Sequence, residues 1–384
     1  MKIGIVCWWF NRGQATVGRY LRSVFDQLGH QTYILARLQQ PGFDRQGFID
    51  ATDVWDQPGV TPALGFEIPF HEYHAWAKQH SPDVILFDQN YQFEEIAKLR
   101  ALGIKTVGRF VWEYFGEQHI QGAVTAFDNI YSLTRCERER YATWGIESPL
   151  LPWGCHPELL RVQHEKKQDG IYFFYPGGYL GQRKPTREVI QAFSQTSQPE
   201  LRLLIKAQTN NPRKHQQHIG QQEALDPRIT VMTGDLGASE YYRLFASCHV
   251  CLAPSRWEGL GLHLYEAAAF GMPIITNDNP PMNELVRHGY NGILVNSHQT
   301  GVTPSGIPAY DPNIEDLRQA IHAASELSYI EALSQNMERT RDSMNWTKTI
   351  DGFQSLLEAP PMKLSKKHQL LRFWAHLKKR YRVR

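Results

Sequence analysis

Short apolar runs recur along this chain with helix-length amphipathic patterns between many of them, and this alternation constrains the fold more than any other feature. In the first half the runs lie near Lys2–Phe10, Thr32–Ala36, Val84–Phe87, Thr106–Phe110, Ile130–Leu133 and Leu150–Pro152. Helical patterns fall at Arg19–Leu28, Glu94–Leu102 and Cys136–Trp144. Strands that read as near-continuous apolar runs are buried on both faces, which a parallel sheet covered by crossover helices requires. The stretch Gln39–Gly65, rich in Gly, Pro and Asp, reads as a long irregular insertion.

The polar run HEKKQDG at His164–Gly170 marks a boundary, after which a second series begins. Its strands are expected at Ile171–Tyr175, Arg202–Lys206, Ile229–Met232, His249–Ala253, Pro273–Thr276 and Gly292–Val295. Helices are expected at Pro185–Phe193, Ala238–Phe245, Gly261–Phe270, Met282–Arg287, Ile314–Ala324, Tyr329–Arg341 and Thr347–Leu357. The expected class is therefore α/β, two Rossmann-like halves with mostly parallel sheets. Ligands of such sheets bind outside the carboxyl ends of the strands, so two facing halves imply a cleft between domains. The domain reading is 1–165, 170–345, a terminal helix over 346–361 packing back on the first domain, and a tail over 362–384.

Composition bears mainly on what the chain is not. No apolar run is long enough to span a bilayer as a helix. The net charge of +2 hides a segregation: residues 363–384 hold nine Lys or Arg and no acid, leaving −7 on the rest. The body thus lacks a polyanion-binding signature, and no nucleic acid partner is expected. In the tail, Leu370, Phe373, Trp374, Leu377 and Tyr381 recur at helical spacing among the basic residues, a pattern suited to an anionic membrane surface or to a solvated or packed basic helix. Five cysteines form no disulfide framework, and the start of the chain shows no signal-peptide cleavage pattern. A cytoplasmic setting, with peripheral association at the cytoplasmic face of a membrane, is the expectation. Neither a metal-ligand cluster nor a G-x-G-x-x-G after the first strand is present, so no metal and no cofactor is expected.

The chemical signal is concentrated in CLAPSRWEGLGLHLYEAAAFGMPIITND, Cys251–Asp278. A short strand leads through Pro254–Trp257 to Glu258, then to a helix that stops at Gly271. The helix start leaves the backbone N–H groups of Gly261, Leu262 and His263 free to receive a phosphate, and Gly259 and Gly261 permit close approach. Glu258 and Glu266 lie about 12 Å apart along such a helix, suited to two hydroxylated parts of one long ligand. The same acids also suit a helix cap and a solvated helix position. Lys184, at a helix start, could stabilise charge growing on a leaving diphosphate.

These residues resemble the signature of glycosyltransferase family 4, the retaining nucleotide-sugar glycosyltransferases of GT-B fold, in which Glu, seven residues and Glu stand as Glu258 to Glu266. APS before it and NPPMNELVRHGYNGILV after it agree, and the resemblance extends to about Glu358. It implies that Glu258 meets the donor sugar hydroxyls, Glu266 the ribose hydroxyls, and the Gly261, Leu262 and His263 amides the diphosphate. In the family's Arg, four residues, Lys pair, Lys184 fits and Tyr179 stands at the Arg position, with Arg183 a substitute source of charge. Gly13, in the loop read as Asn11–Gly18, resembles a glycine lining the donor phosphates. Lys206, the Thr233–Leu236 loop with Gly234 and Leu236, and Glu284 resemble further donor-contact positions. Arg109 stands near a catalytic position, and Trp112, Glu113 and His156 are acceptor candidates; packing and turn roles are open for all four. The implied activity is metal-independent transfer of a sugar from a nucleoside diphosphate sugar to a saccharide, lipid-linked or other hydroxyl acceptor, in polysaccharide, glycolipid or other glycoconjugate synthesis. An epimerase or hydrolase on the same fold, or a non-catalytic sugar-nucleotide-binding protein, are the alternatives.

Overall fold

The computed structural model describes residues 1–40, 47–209, 211–220, 226–364, 366 and 368–372. The chain divides into two compact units, Met1–Trp153 with Thr347 onward, and Gly154–Trp346.

The first unit is built on six parallel strands: β1 (Lys2–Trp8), β2 (Gln31–Arg37), β3 (Val60–Pro62), β4 (Val84–Asp88), β5 (Lys105–Arg109) and β6 (Asn129–Ile130), in the order β3-β2-β1-β4-β5-β6. Every residue of β4 is buried, as a central strand covered on both faces should be. Three expectations change here. The loop expected over 11–18 is short, because the helix begins at Gly13 and runs to Gln27, burying Ala15, Thr16 and Val17. The irregular insertion contains β3, which extends β2 in register from Ile34↔Val60. Leu150–Pro152 makes no strand; Leu150 joins Ser132 through one isolated bridge.

The second unit also has six parallel strands: β7 (Ile171–Gly178), β8 (Leu201–Ala207), β9 (Ile229–Met232), β10 (Val250–Leu252), β11 (Ile274–Asn277) and β12 (Gly292–Val295), ordered β12-β11-β10-β7-β8-β9. Counted from each unit's own first strand, both sheets have the order 3-2-1-4-5-6, so each reverses direction beside its first strand. An antiparallel hairpin of β13 (Ser297–Val302) and β14 (Pro308–Pro312) follows β12 and has no counterpart among the expected elements.

The first unit ends at Trp153, short of the expected residue 165. Residues from Gly154 join the second unit because Cys155 N–H donates to the Met344 carbonyl at 3.0 Å. A Cβ on Gly154 would stand 2.6 Å from that carbonyl oxygen, so only glycine admits the approach. The helix Trp346–Glu358 contributes Phe353 to the first unit's core, edge-on to Phe25 and Tyr131 at 5.9 and 5.2 Å. Its terminal carbonyls, on Leu356 and Leu357, accept from Lys105 Nζ at 3.1 and 2.8 Å. All five cysteines are buried thiols. Among the described residues no helix is long and apolar enough to cross a membrane. The aromatic positions expected in the tail from Phe373 onward lie outside the described residues.

Candidate functional site

Neighbouring parallel strands β7 and β10, paired Val250↔Phe173 and Cys251↔Phe174, deliver two loops to one end of the second sheet. This is where the strand order reverses, the place at which ligands of open α/β sheets bind. The loop after β7 turns at Leu180, whose φ of 50° is unusual for a branched residue. Its side chain is fully buried and its N–H donates to the Gly177 carbonyl at 3.0 Å, which holds the turn. From there the chain reaches Arg183 and Lys184.

Lys184 Nζ donates to Glu258 Oε1 at 2.6 Å and to Ser255 Oγ at 2.7 Å; Ser255 Oγ in turn donates to Glu258 Oε1 at 2.7 Å. Arg183 lies 3.6 Å from the other oxygen of the same carboxylate. Lys184, Ser255 and Glu258 are all buried. Burial by itself would raise the Glu258 pKa, but Arg183, Lys184 and His263 together hold it well below the ordinary carboxylate range. Burial lowers the Lys184 pKa, and Glu258 is the main influence opposing that. The two charges therefore sustain one another.

The helix Leu262–Ala269 begins beside this pair. Its N-cap, Gly261, has φ 74° and offers no side-chain cap. A Cβ there would be both strained and 3.0 Å from Leu264 Cδ1. The first turn thus begins without a capping side chain, the arrangement that suits an anion. His263 stands on this turn with Nε2 3.8 Å from Glu258 Oε1. Burial, then Lys184, pushes its pKa down to about 3, so the ring is neutral at physiological pH.

Glu266, one turn further along, is buried and its pKa is pushed up to about 8, first by burial and then by Glu158. The folded protein therefore holds a proton here that the unfolded chain releases above about 4.5. That contribution to stability is complete below about 4.5 and is lost as pH rises through about 8. Glu266→Gln is expected to remove it: variant and wild type should differ little in melting temperature at pH 5, and the variant should gain on the wild type toward pH 8. Parallel melting-temperature curves would refute this.

The other donor residues expected in the second half lie at the same sheet end. Lys206 is buried at the end of β8, donating to the Ala207 carbonyl at 3.0 Å and to the Gly234 carbonyl, which ties it to the loop carrying Leu236. Tyr179 has the Lys214 ammonium 5.5 Å from its ring centre, so positive charge also stands beside this position. Glu284 is half-buried in the helix Met282–Leu285 that follows β11. Ser255, at the centre of the cluster, was not among the expected site residues; its sequence mark is the APS run three residues before Glu258.

In the first unit Gly13 is exposed and opens the first helix after β1. Arg109 ends β5 and is 2% exposed, with NH1 donating to Asp88 Oδ1 at 2.9 Å. It is placed as a buried ion-pair partner. Trp112 and Glu113 are buried in the loop that follows β5. His156, in the second unit, caps the short helix Pro157–Leu160, accepting from Glu158 N–H at 3.3 Å. Among the described residues no three His, Cys, Asp or Glu side chains gather as a metal site would need.

Two parallel α/β units, with a lysine–glutamate pair at a helix start where one sheet reverses, define a protein of the GT-B fold class. Residues 158–301 match the family described as glycosyl transferases group 1. An uncharacterized glycosyltransferase of Haemophilus influenzae is 28% identical over 200 residues, half of each chain. The matches span only 21% to 50% of the length of the curated relatives. Sucrose-phosphate synthase from Thermosynechococcus elongatus has the same fold, with a TM-score of 0.71 and 16% identity over 93% of this chain and 98% of that one. So has the Anabaena protein HepE, solved with UDP and glucose, with a TM-score of 0.66 and 14% identity over 94% of this chain and all of that one.

Proposed function

We propose that the second unit binds a nucleoside diphosphate sugar and that the protein transfers the sugar, with retained configuration, to a hydroxyl acceptor. The observation that carries this reading is the buried Lys184–Ser255–Glu258 cluster beside the uncapped helix start at Gly261. Amides of Gly261, Leu262 and His263 and the Lys184 ammonium would take the diphosphate, Glu258 the sugar hydroxyls and Glu266 the ribose. In the reaction the bond from the sugar's anomeric carbon to the β-phosphate oxygen breaks, and a bond to the acceptor oxygen forms. The acceptor proton passes to the departing phosphate oxygen, so no separate side-chain base is required. Lys184 and the amides stabilise the charge that grows on that oxygen more in the transition state than before it, and this supplies the role a metal would otherwise have.

The acceptor would be a saccharide or lipid-linked hydroxyl compound taken by the first unit, with glycoconjugate synthesis as the setting. The basic tail over 362–384 would bring the protein to the anionic cytoplasmic face of a membrane.

A panel of nucleoside diphosphates tests the donor. Specific binding at a hundredfold excess over Kd stabilises by about 2.7 kcal/mol, or roughly 5–10 °C in melting temperature for a domain of this size. One or two bases should produce that shift and the others little. Absence of a shift with every base would remove the donor assignment.

A further inference from the structure

The hairpin β13–β14 is joined to both loops of the candidate site through one residue to which the proposed transfer assigns no role. Arg256 lies between Ser255 and Glu258 on the loop after β10. Its backbone N–H donates to the Arg183 carbonyl at 2.9 Å, and its NH1 donates to the Gln182 carbonyl at 3.1 Å. Both contacts reach the loop that presents Lys184. On its other side NH2 donates to Thr300 Oγ1 of β13 at 2.8 Å, and Nε forms an ion pair with Asp311 of β14. The Arg256 carbonyl accepts from Tyr310 N–H, also on β14, at 3.0 Å. Asn277, at the end of β11, closes the arrangement: its Nδ2 donates to the Ser255 and Tyr310 carbonyls, each at 3.1 Å.

We infer that Arg256 is a positioning residue that latches the hairpin to the loops after β7 and β10 and so sets the meeting of Lys184 with Glu258. The argument is geometric. Lys184 and Glu258 come from segments 74 residues apart. Surface loops of this kind wander unless other contacts hold them. A guanidinium offers a rigid planar fork of donors that holds acceptors in fixed, divergent directions, which the compact rotating ammonium does not do. Arg256 donates to a carbonyl of one loop and a hydroxyl of β13, and its charge is paired with a carboxylate of β14. A hairpin outside the parallel sheet thereby fixes a spacing within the site, and catalytic spacing errors of about 1 Å are costly. The consequence for transfer rests on the proposed function; the latch itself does not.

The test uses the full chain with Arg256→Gln, Arg256→Lys and Asp311→Asn. Hydrogen exchange is followed by mass spectrometry in peptides covering 179–184 and 255–261. Arg256→Gln should speed exchange at least about tenfold in both peptides while peptides from β7 and β8 keep their protection. Asp311→Asn should do the same to a smaller extent. In transfer assays Arg256→Gln should lower kcat about tenfold with KM little changed, and Arg256→Lys should restore part of the loss. Unchanged exchange in the two loops would overturn the inference, as would a uniform rise across the second unit, which would mark a general stabilising contact. A wild-type protein that releases no nucleoside diphosphate from any nucleotide sugar would end the transferase reading, while the exchange measurements would still decide the latch.

Discussion

Glu258→Gln is expected to lower the rate of sugar transfer at least about a hundredfold while leaving the protein folded. Glutamine keeps the shape and can still accept a hydrogen bond from Lys184 or Ser255, so the change isolates the charge. The loss has two parts. The carboxylate would no longer accept two donor-sugar hydroxyls, and hydrogen bonds to a charged partner are roughly twice as strong as neutral ones. More importantly, Glu258 is the main influence keeping buried Lys184 protonated. Without it, burial favours the neutral amine, and the leaving diphosphate loses a cation. The stability difference between wild type and variant also has a set pH dependence. Because the folded pKa of Glu258 is depressed, its contribution is present above the ordinary value of about 4.5 and disappears as the pH falls below that. Denaturation curves should therefore separate above about pH 5 and converge in stronger acid. A variant with wild-type turnover would remove Glu258 from the reaction.

Lys184→Met should reduce kcat by about 10²–10³ with a smaller effect on KM, since in the proposed transfer the ammonium would act most strongly on charge that develops during the reaction. It should also destabilise the second unit, because removing one partner leaves the other buried charge uncompensated, at a cost of about 3–5 kcal/mol. Arg183 is close enough to Glu258 to moderate this cost. The double variant Lys184→Met with Glu258→Gln provides the decisive comparison. With both charges gone no buried ion is stranded, so its destabilisation should be clearly smaller than that of the two single variants combined. Denaturant titration measures all four proteins. Simple additivity would show that the pair does not couple as its 2.6 Å contact requires.

Much of the architecture was legible in residue order. Apolar runs such as VILF and IYFFY must be buried on both sides, and the gaps between them fit crossover helices, so a parallel α/β organisation followed from local pattern and covalent spacing. Gly271 and Pro273 marked a helix end and a strand restart in the same way. The short β3, the helix start at Gly13 and the β13–β14 hairpin were less visible, because each draws its stability from neighbours distant in sequence. Val60–Pro62 is a strand because Ile34–Ala36 pairs with it, and the hairpin's polar strands carry no apolar alternation to announce them.

The amino-acid order alone determined the repeated strand-and-helix plan and the spacing of Glu258, Gly261 and Glu266, since those depend on properties each segment carries by itself. Only tertiary structure decided which charges meet. The 2.6 Å approach of Lys184 to Glu258, the commitment of Arg109 to Asp88 and the reach of Arg256 to β14 all join residues far apart in the chain. Burial then set their charge states, because the cost of removing a charge from water depends on what folding places beside it.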